Sequence, residues 1–431
     1  MIKKEILARI VLDFQNQKLP ELIERELEVD LEIPLKRASV ILGPRRSGKT
    51  YYLYFLIKKL IKNGIEKKRI LYVDFEDPRL FGATLDDLLN LVEVFYQIYP
   101  GNKNQKVWFF FDEIQNIKNW ERFIRGALDR ENARVFISGS SSKLLSREIA
   151  TSLRGRTLSY LLLPFSFSEF LKAKSIACKE HLSSEEKARF INAFWEYFSS
   201  GGYPEVVIYP EKRKKIIQEI IEVTIYRDIV ERYSIRNLKV IKLMFNYLVE
   251  AGEFSIHRFY NFLKSLNIKV SKNSLYNYLE YFNDAFIFFP LRKFSWSLKN
   301  TEQSLPKIYT VDNALIEAVA ANNKGKKLEN LIFLSLLRKG FELNKNIFYF
   351  HLNGGEVDFV IKEGRKTSTL LQSCFDISNF KTREREIKSL IKASEKLNCD
   401  NLLIITSDFK GEEKIKGKGI KFVPLWEWLL F

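Results

Sequence analysis

Two short stretches carry residue types suited to phosphoryl chemistry. Residues 43–50 read GPRRSGKT, which satisfies G-x-x-x-x-G-K-[ST] at every fixed position, and residues 107–113 read VWFFFDE. The glycines free the backbone of Gly43, Pro44, Arg45, Arg46, Ser47 and Gly48 to curl, so that N–H groups point inward at phosphate oxygens. Lys49 is placed to reach the β- and γ-phosphates of ATP and the Thr50 hydroxyl to hold Mg2+, with Tyr51 next along the chain. Asp112 can hold the same Mg2+ through water. Glu113 can orient or deprotonate the attacking water, since hydrolysis needs an in-line nucleophile. The pattern predicts binding of ATP or ADP with Mg2+ and hydrolysis at the β–γ bond, an ATPase. Arg45 and Arg46 occupy variable positions, where they either raise the positive potential at the rim of the loop or point into solvent.

Such residues need elements to position them. ASVIL, before the loop, reads as a strand, and YYLYFLIKKL, after it, as an amphipathic helix. The positive end of that helix adds to the field on the phosphates. The five apolar residues that run into Asp112 read as a central strand of a parallel sheet, buried on both faces, and strand ends are where such sheets bind ligands. RILYVDFED (69–77) and ARVFISGSSS (133–142) fit two further strands of the sheet. The second ends in small hydroxyl residues, which makes Ser138 and Ser140 candidates for sensing the γ-phosphate; the competing reading is that they only turn the chain. Arg154 and Arg156 bracket a glycine shortly afterwards. One of them is a candidate for stabilising charge on the γ-phosphate, in cis or from a neighbouring copy.

In this order, GPRRSGKT, YVDFEDPR, FFFDEIQNI, ISGSSSKLLSREIATSLRGR and PFSFSEFL resemble the archaeal and bacterial AAA-type ATPases of the STAND-related branch. The resemblance covers nearly the whole chain and is strongest over 38–170. It implies an AAA-like core, ATP hydrolysis, a ring or dimer of identical subunits, and a C-terminal module similar to restriction endonucleases.

Residues 184–234 carry helical pattern interrupted at GGYPEVV (201–207). They predict a helical lid beside the nucleotide, in which Arg227 and Asp228 either belong to the site or, the favoured reading, lie on a solvated face. From Ile235 to Thr310 the pattern suits three helices and a hairpin, which resembles a winged helix. The third helix, SKNSLYNYLEYFNDA, opens at Ser271 as its N-cap and lines up Leu275, Tyr278, Leu279 and Phe282 as an apolar face. Lys272, Asn273, Tyr276 and Asn277 fall opposite, and these are types that reach bases and phosphates. Arg292 and Lys293 lie in the expected wing. The segment 235–310 holds eleven Lys and Arg against five Asp and Glu, whereas the last 121 residues hold 20 against 16. DNA is therefore the expected partner of this segment; the bland reading is a protein-docking or lid element.

From Val311 onward the pattern returns to α/β. The helix KKLENLIFLSLLRKG is followed by strand-like NIFYFHL, EVDFVIK and TLLQSCFDIS, an order that resembles the restriction-endonuclease-like fold. In active members of that fold a helix glutamate, a strand aspartate and an E-x-K gather a divalent metal. Glu329 and Asp358 match the first two positions, but the third reads Gln372-Ser373-Cys374. A neutral amide and a thiol stand where a charged ligand and a lysine are needed. The module is expected to be a degenerate nuclease, with Glu356 on the face of Asp358 as partial compensation. The helix KTREREIKSLIKASEKL is expected to face solvent.

The expected fold class is α/β: a P-loop NTPase core of AAA type (1–170), a helical lid (171–234), a winged helix (235–310) and a restriction-endonuclease-like α/β module (311–431). A formal charge of +17 over 431 residues fits polyanionic partners. Three scattered cysteines and three scattered histidines exclude a disulfide framework and a metal knuckle. No apolar run is long enough to span a membrane, so a cytoplasmic location is expected. Two rival functions stay open: an ATP-dependent metal nuclease, and a STAND-like nucleotide switch acting on a protein partner.

Overall fold

Strand β1 (Ala38–Leu42) is buried along its whole length and runs straight into the glycine-bounded loop. The computed structural model describes residues 1–33, 35–140, 153, 155–177, 183–352 and 355–430. It consists of two units, Met1–Leu163 and Pro164–Phe431.

In the first unit, β1 joins β2 (Ile70–Asp74), β3 (Val107–Asp112), β4 (Ala133–Gly139) and β5 (Thr157–Leu161) in one sheet of order β2-β3-β4-β1-β5. All four pairings are parallel. The apolar runs follow from this arrangement, because a parallel strand covered on both faces has no solvated side on which to alternate. Phe110 of β3 stacks on Phe136 of β4 at 4.6 Å between centroids. Helix α1 (Lys4–Asn16) buries Leu7, Ile10, Val11 and Phe14. Helix α2 (Lys49–Lys62) buries Tyr52, Leu53, Leu56, Ile57 and Leu60, and no side chain caps its first turn. Helix α3 (Leu85–Ile98) begins with a reciprocal Thr84–Asp87 capping box, and Asp87 also accepts the N–H of Ile2 at 2.6 Å. Helix α4 (Trp120–Arg130) completes the elements around the sheet. Strand β5 lies on the edge beside β1, where the sequence offered no expected strand.

The second unit opens with helices, among them Ser184–Ser200 and Arg213–Val223. A π-helical stretch, Thr224–Glu231, follows. It buries Asp228, whose carboxylate pairs with Arg232 at 3.4 Å, so the expected solvated face does not hold for this residue. Three helices come next, Leu238–Glu250, Ile256–Ser265 and Lys272–Asp284, then an antiparallel pair, β6 (Phe288–Leu291) and β7 (Lys307–Thr310), joined through a short helix, Leu298–Glu302. Ser271 caps the third helix by accepting the N–H of Ser274 at 3.0 Å, and Leu275 and Phe282 are buried. The last sheet has order β12-β13-β11-β10-β9-β8. It comprises β8 (Ile347–Leu352), β9 (Gly355–Glu363), β10 (Lys366–Cys374), β11 (Leu402–Thr406), β12 (Gly411–Ile415) and β13 (Lys418–Pro424). The helix Phe380–Leu397 was expected to face solvent. It instead buries Ile387, Leu390, Ile391, Ala393 and Leu397, because its charges occupy one side and an apolar stripe the other.

Candidate functional site

The loop between β1 and α2 closes on itself through short contacts. Gly43 lies so near β5 that an added Cβ would sit 2.2 Å from the carbonyl oxygen of Leu162 and 3.1 Å from Ser47 Oγ. Arg46 and Gly48 take positive φ values of 62° and 93°, turning the backbone into the helix. Ser47 N–H bonds Pro44 O at 3.3 Å. Arg25, from the segment after α1, is buried and donates to the carbonyls of Ser47 (3.0 Å) and Leu163 (2.5 Å), bracing the loop from behind. No motif marked Arg25 in advance. Arg45 is half-buried and faces Glu76 at 3.8 Å, Arg46 is exposed, and Tyr51 is 58% exposed on the outer side of α2.

Lys49 is buried and directed inward. Its ammonium donates to Pro44 O at 3.2 Å and lies 3.4 Å from a carboxylate oxygen of Glu113. Glu113 sits just past the end of β3 with φ of 51°, a left-handed conformation rarely adopted by a glutamate. Burial pushes its carboxyl pKa up, but the Lys49 charge, the bond from Gln115 and the Arg45 charge outweigh this and hold it below the usual range. Asp112 is fully buried. It accepts from Tyr72 (3.1 Å), from Ser138 and from the side chain of Thr50, while burial and the neighbouring Glu113 charge raise its pKa. Ser138 Oγ also accepts the N–H of Glu113 at 3.0 Å, so one hydroxyl holds both acids. Tyr72, on β2, was not foreseen. Its only sequence signal is an aromatic facing the acidic end of the neighbouring strand.

The strand order explains this convergence. β4 lies between β1 and β3, so Ser138 and Ser140 lie beside both the loop and the acids. Ser47 Oγ and Ser140 Oγ are buried and have no hydrogen-bond partner among the described residues. Two unsatisfied hydroxyls beside a lysine, at an uncapped helix start, are what a polyanion with many acceptor oxygens would satisfy. Thr50 and Asp112 supply the hard oxygen donors that suit Mg2+. The residues present therefore fit a Mg2+–nucleotide.

Arg156 requires a correction. It precedes β5, and its carbonyl bonds Ala38 N–H at 2.9 Å, at the start of β1 rather than its end. Its side chain pairs with Asp129. The five residues of β1 separate it from the loop by about 16 Å, at ~3.3 Å per residue, beyond the reach of an arginine side chain. It cannot serve the phosphates of its own chain. Arg154 lies outside the described residues.

In the second unit, Lys272, Asn273, Tyr276 and Asn277 are all exposed on one face of their helix, and Lys272 contacts His257 Nδ1 at 3.1 Å. Arg292 and Lys293 differ from the expectation of a free wing. Arg292 is committed to Glu302, donating to its carbonyl at 2.7 Å and meeting its carboxylate at 3.1 Å. Lys293 is half-buried, its N–H bonded to Ser304 Oγ at 3.1 Å.

Glu329, Asp358 and Gln372 do come together. Asp358 Oδ2 accepts from the N–H (2.9 Å) and the hydroxyl (2.7 Å) of Ser373. Gln372 accepts the N–H of Asp358 at 3.1 Å and donates to Glu386 at 2.5 Å. Cys374 is buried, and burial raises its thiol pKa to about 11. At the centre lies a residue that sequence reasoning passed over. The Lys307 ammonium is 2.9 Å from Glu329, 2.5 Å from Glu356 and 2.9 Å from Asp358.

Comparisons agree with the architecture of the first unit. Residues 35–171 match the family described as "AAA domain", and residues 191–326 match "Domain of unknown function (DUF8612)". The uncharacterized protein MJ1544 of Methanocaldococcus jannaschii is 43% identical over 443 residues, covering 100% of this chain and 96% of its own. An uncharacterized protein of Haemophilus influenzae is 28% identical over 400 residues, covering 91% of this chain and 94% of its own. Among solved structures, the Walker-type ATPase PABY2304 of Pyrococcus abyssi has a TM-score of 0.46 at 13% identity, covering 74% of this chain and 96% of that one. The first unit is thus a P-loop core of AAA type with a parallel central sheet. No helix among the described residues is long and apolar enough to cross a membrane.

Proposed function

The chain belongs to the family of the uncharacterized M. jannaschii protein MJ1544, and from that premise we propose that it is an ATP-hydrolysing protein of AAA type whose basic helical segment engages DNA. The observation that carries the reading is the meeting of Lys49, Thr50, Asp112 and Glu113 at one end of the parallel sheet, beside two buried hydroxyls without partners. In this reading the loop backbone and Lys49 bind the phosphates. Thr50 and Asp112 would hold Mg2+, which would supply positive charge to offset that of the phosphates. Glu113 orients and deprotonates the water, its backbone N–H held by Ser138. Ser138 keeps Asp112 and Glu113 in register, and Ser140 meets the phosphate.

Support for DNA as partner is narrower. Residues 235–310 form three helices followed by a two-stranded antiparallel pair whose connection carries a short helix, Leu298–Glu302, an order that resembles a winged helix. Lys272, Asn273, Tyr276 and Asn277 stand exposed at the start of the third helix. With Arg292 held by Glu302, contact would rest on that helix rather than on a wing. The C-terminal module is read as a nuclease-like scaffold that does not cut, since Gln372 and Cys374 stand where charged groups are required.

The test is ATP turnover with and without duplex DNA at two salt concentrations. Turnover that DNA raises, with DNA binding that weakens steeply as salt rises, is the expected result. Lys49→Ala should abolish nucleotide binding. Turnover indifferent to DNA would remove the DNA assignment, and wild-type protein without affinity for Mg2+–ATP would remove the whole reading.

A further inference from the structure

An ammonium has three N–H donors, and Lys307 directs its own at three carboxylates. Lys307 opens β7, a strand buried at every position, and is itself 7% exposed. Strand β7 pairs with β6, and the backbone around it is clipped from the other side, Phe254 N–H to Pro306 O at 2.8 Å and Ile308 N–H to Gly252 O at 3.1 Å. The side chain is therefore delivered by a fixed backbone to Glu329 on its helix and to Glu356 and Asp358 on β9. The acids are fixed in turn. Tyr309 OH donates to the same Glu329 oxygen at 2.6 Å, and Ser373 holds the second oxygen of Asp358.

Two of these acids, Glu329 and Asp358, are the pair that the nuclease resemblance assigns to a divalent metal. The residues present do not fit that metal, because the position between the carboxylates is already filled by a positive group. We propose that Lys307 is a built-in cation that takes the metal's place, so that the C-terminal module keeps its acidic centre occupied and closed without binding a divalent ion. The inference deepens the reading of a non-cutting module and rests on it.

The ammonium keeps its charge. Burial alone would lower its pKa, but Asp358, Glu329 and Glu356 together raise it above the ordinary lysine value. A nearby trio, Glu253, His351 and Glu356, brings ligand atoms within 4.8 Å of one another and could also attract a metal. It shares Glu356 with the lysine, so the same ion pair draws one of its three ligands away.

The experiment is Mn2+ titration, by electron paramagnetic resonance and calorimetry, of the full chain without nucleotide, in wild type, Asp358→Asn, Lys307→Ala and Lys307→Ala/Asp358→Asn. Wild type should show no site that depends on Asp358. Lys307→Ala should bind Mn2+ on the order of tenfold or more tighter than wild type and gain thermal stability from it, and the double variant should lose both. Where the single substitution does not fold, Lys307→Ala/Glu356→Gln removes one acid with the lysine and carries the same expectation. Wild-type Mn2+ binding abolished by Asp358→Asn overturns the proposal. So does a folded lysine variant that binds no Mn2+, or whose binding survives Asp358→Asn. Plasmid cleavage by the wild type with Mn2+ would instead overturn the non-cutting reading on which the inference stands.

Discussion

Replacing Glu113 with glutamine should move nucleotide affinity and turnover in opposite directions. Without nucleotide, the Lys49 ammonium lies 3.4 Å from the Glu113 carboxylate, with the two side chains 5% and 13% exposed. At an effective dielectric near 20 the gross attraction is about 5 kcal/mol, most of it offset by desolvation, which leaves on the order of 1 kcal/mol net. When a γ-phosphate takes Lys49, the wild type gives up that ion pair, whereas Glu113→Gln gives up only a neutral contact. The variant should therefore bind Mg2+–ATP about three- to tenfold more tightly, since ~1.4 kcal/mol is tenfold in affinity. Turnover should fall about 10²- to 10⁴-fold, the usual contribution of a positioned base. Calorimetric titration with Mg2+–ATP, alongside steady-state phosphate release, reads both quantities on one preparation. Weaker binding by the variant would refute the competition between carboxylate and phosphate for Lys49. Turnover at the wild-type rate would refute Glu113 as the group that activates water.

Two further outcomes follow from the geometry. Gly43→Ala places a Cβ 2.2 Å from Leu162 O, one residue past β5, where the Leu162 N–H bonds Leu42 O at 2.7 Å, so the two chain segments must part by about 1 Å. Overpacking of this kind should cost about 1–3 kcal/mol in thermal or denaturant unfolding and, by displacing the loop, about 100-fold in nucleotide affinity; wild-type affinity would refute the close approach. Glu356 has a folded pKa raised by burial from the usual 4.5 to about 7, so the folded protein binds more protons than the unfolded chain across that window. Stability should fall by about 2–3 kcal/mol as pH rises from about 4.5 to 7 through this group, and Glu356→Gln should remove that slope in urea titrations; an unchanged slope would refute it.

The sequence is most readable where chemistry is local in the chain. The loop 43–50 and the acids 112–113 announce themselves because each is contiguous, and the strands behind them read correctly because double-sided burial leaves unbroken apolar runs. Legibility fails where partners are far apart. Lys307 meets Glu329 and Asp358 across 22 and 51 residues, and nothing in KIYT but a charge at the edge of an apolar strand hints at it. Arg156 misled in the opposite way. It is near Ser140 in the chain, but β5 runs parallel to β1, which puts Arg156 beside the start of β1 and not at the end where the loop begins. The helix Phe380–Leu397 was misjudged by its density of charge, although Ile387, Leu390, Ile391 and Leu397 hold the spacing of a buried stripe.

The position of Lys307 also bears on how this protein could be taken apart or recombined. A cut at residue 310, where a composition-based boundary falls, leaves three acids on the downstream fragment and their counter-charge on the upstream one. Thr310 N–H to Asn330 at 2.8 Å is severed from its acceptor by the same cut. Shuffled alone into another chain, the downstream fragment would arrive with mutually repelling carboxylates and no internal remedy.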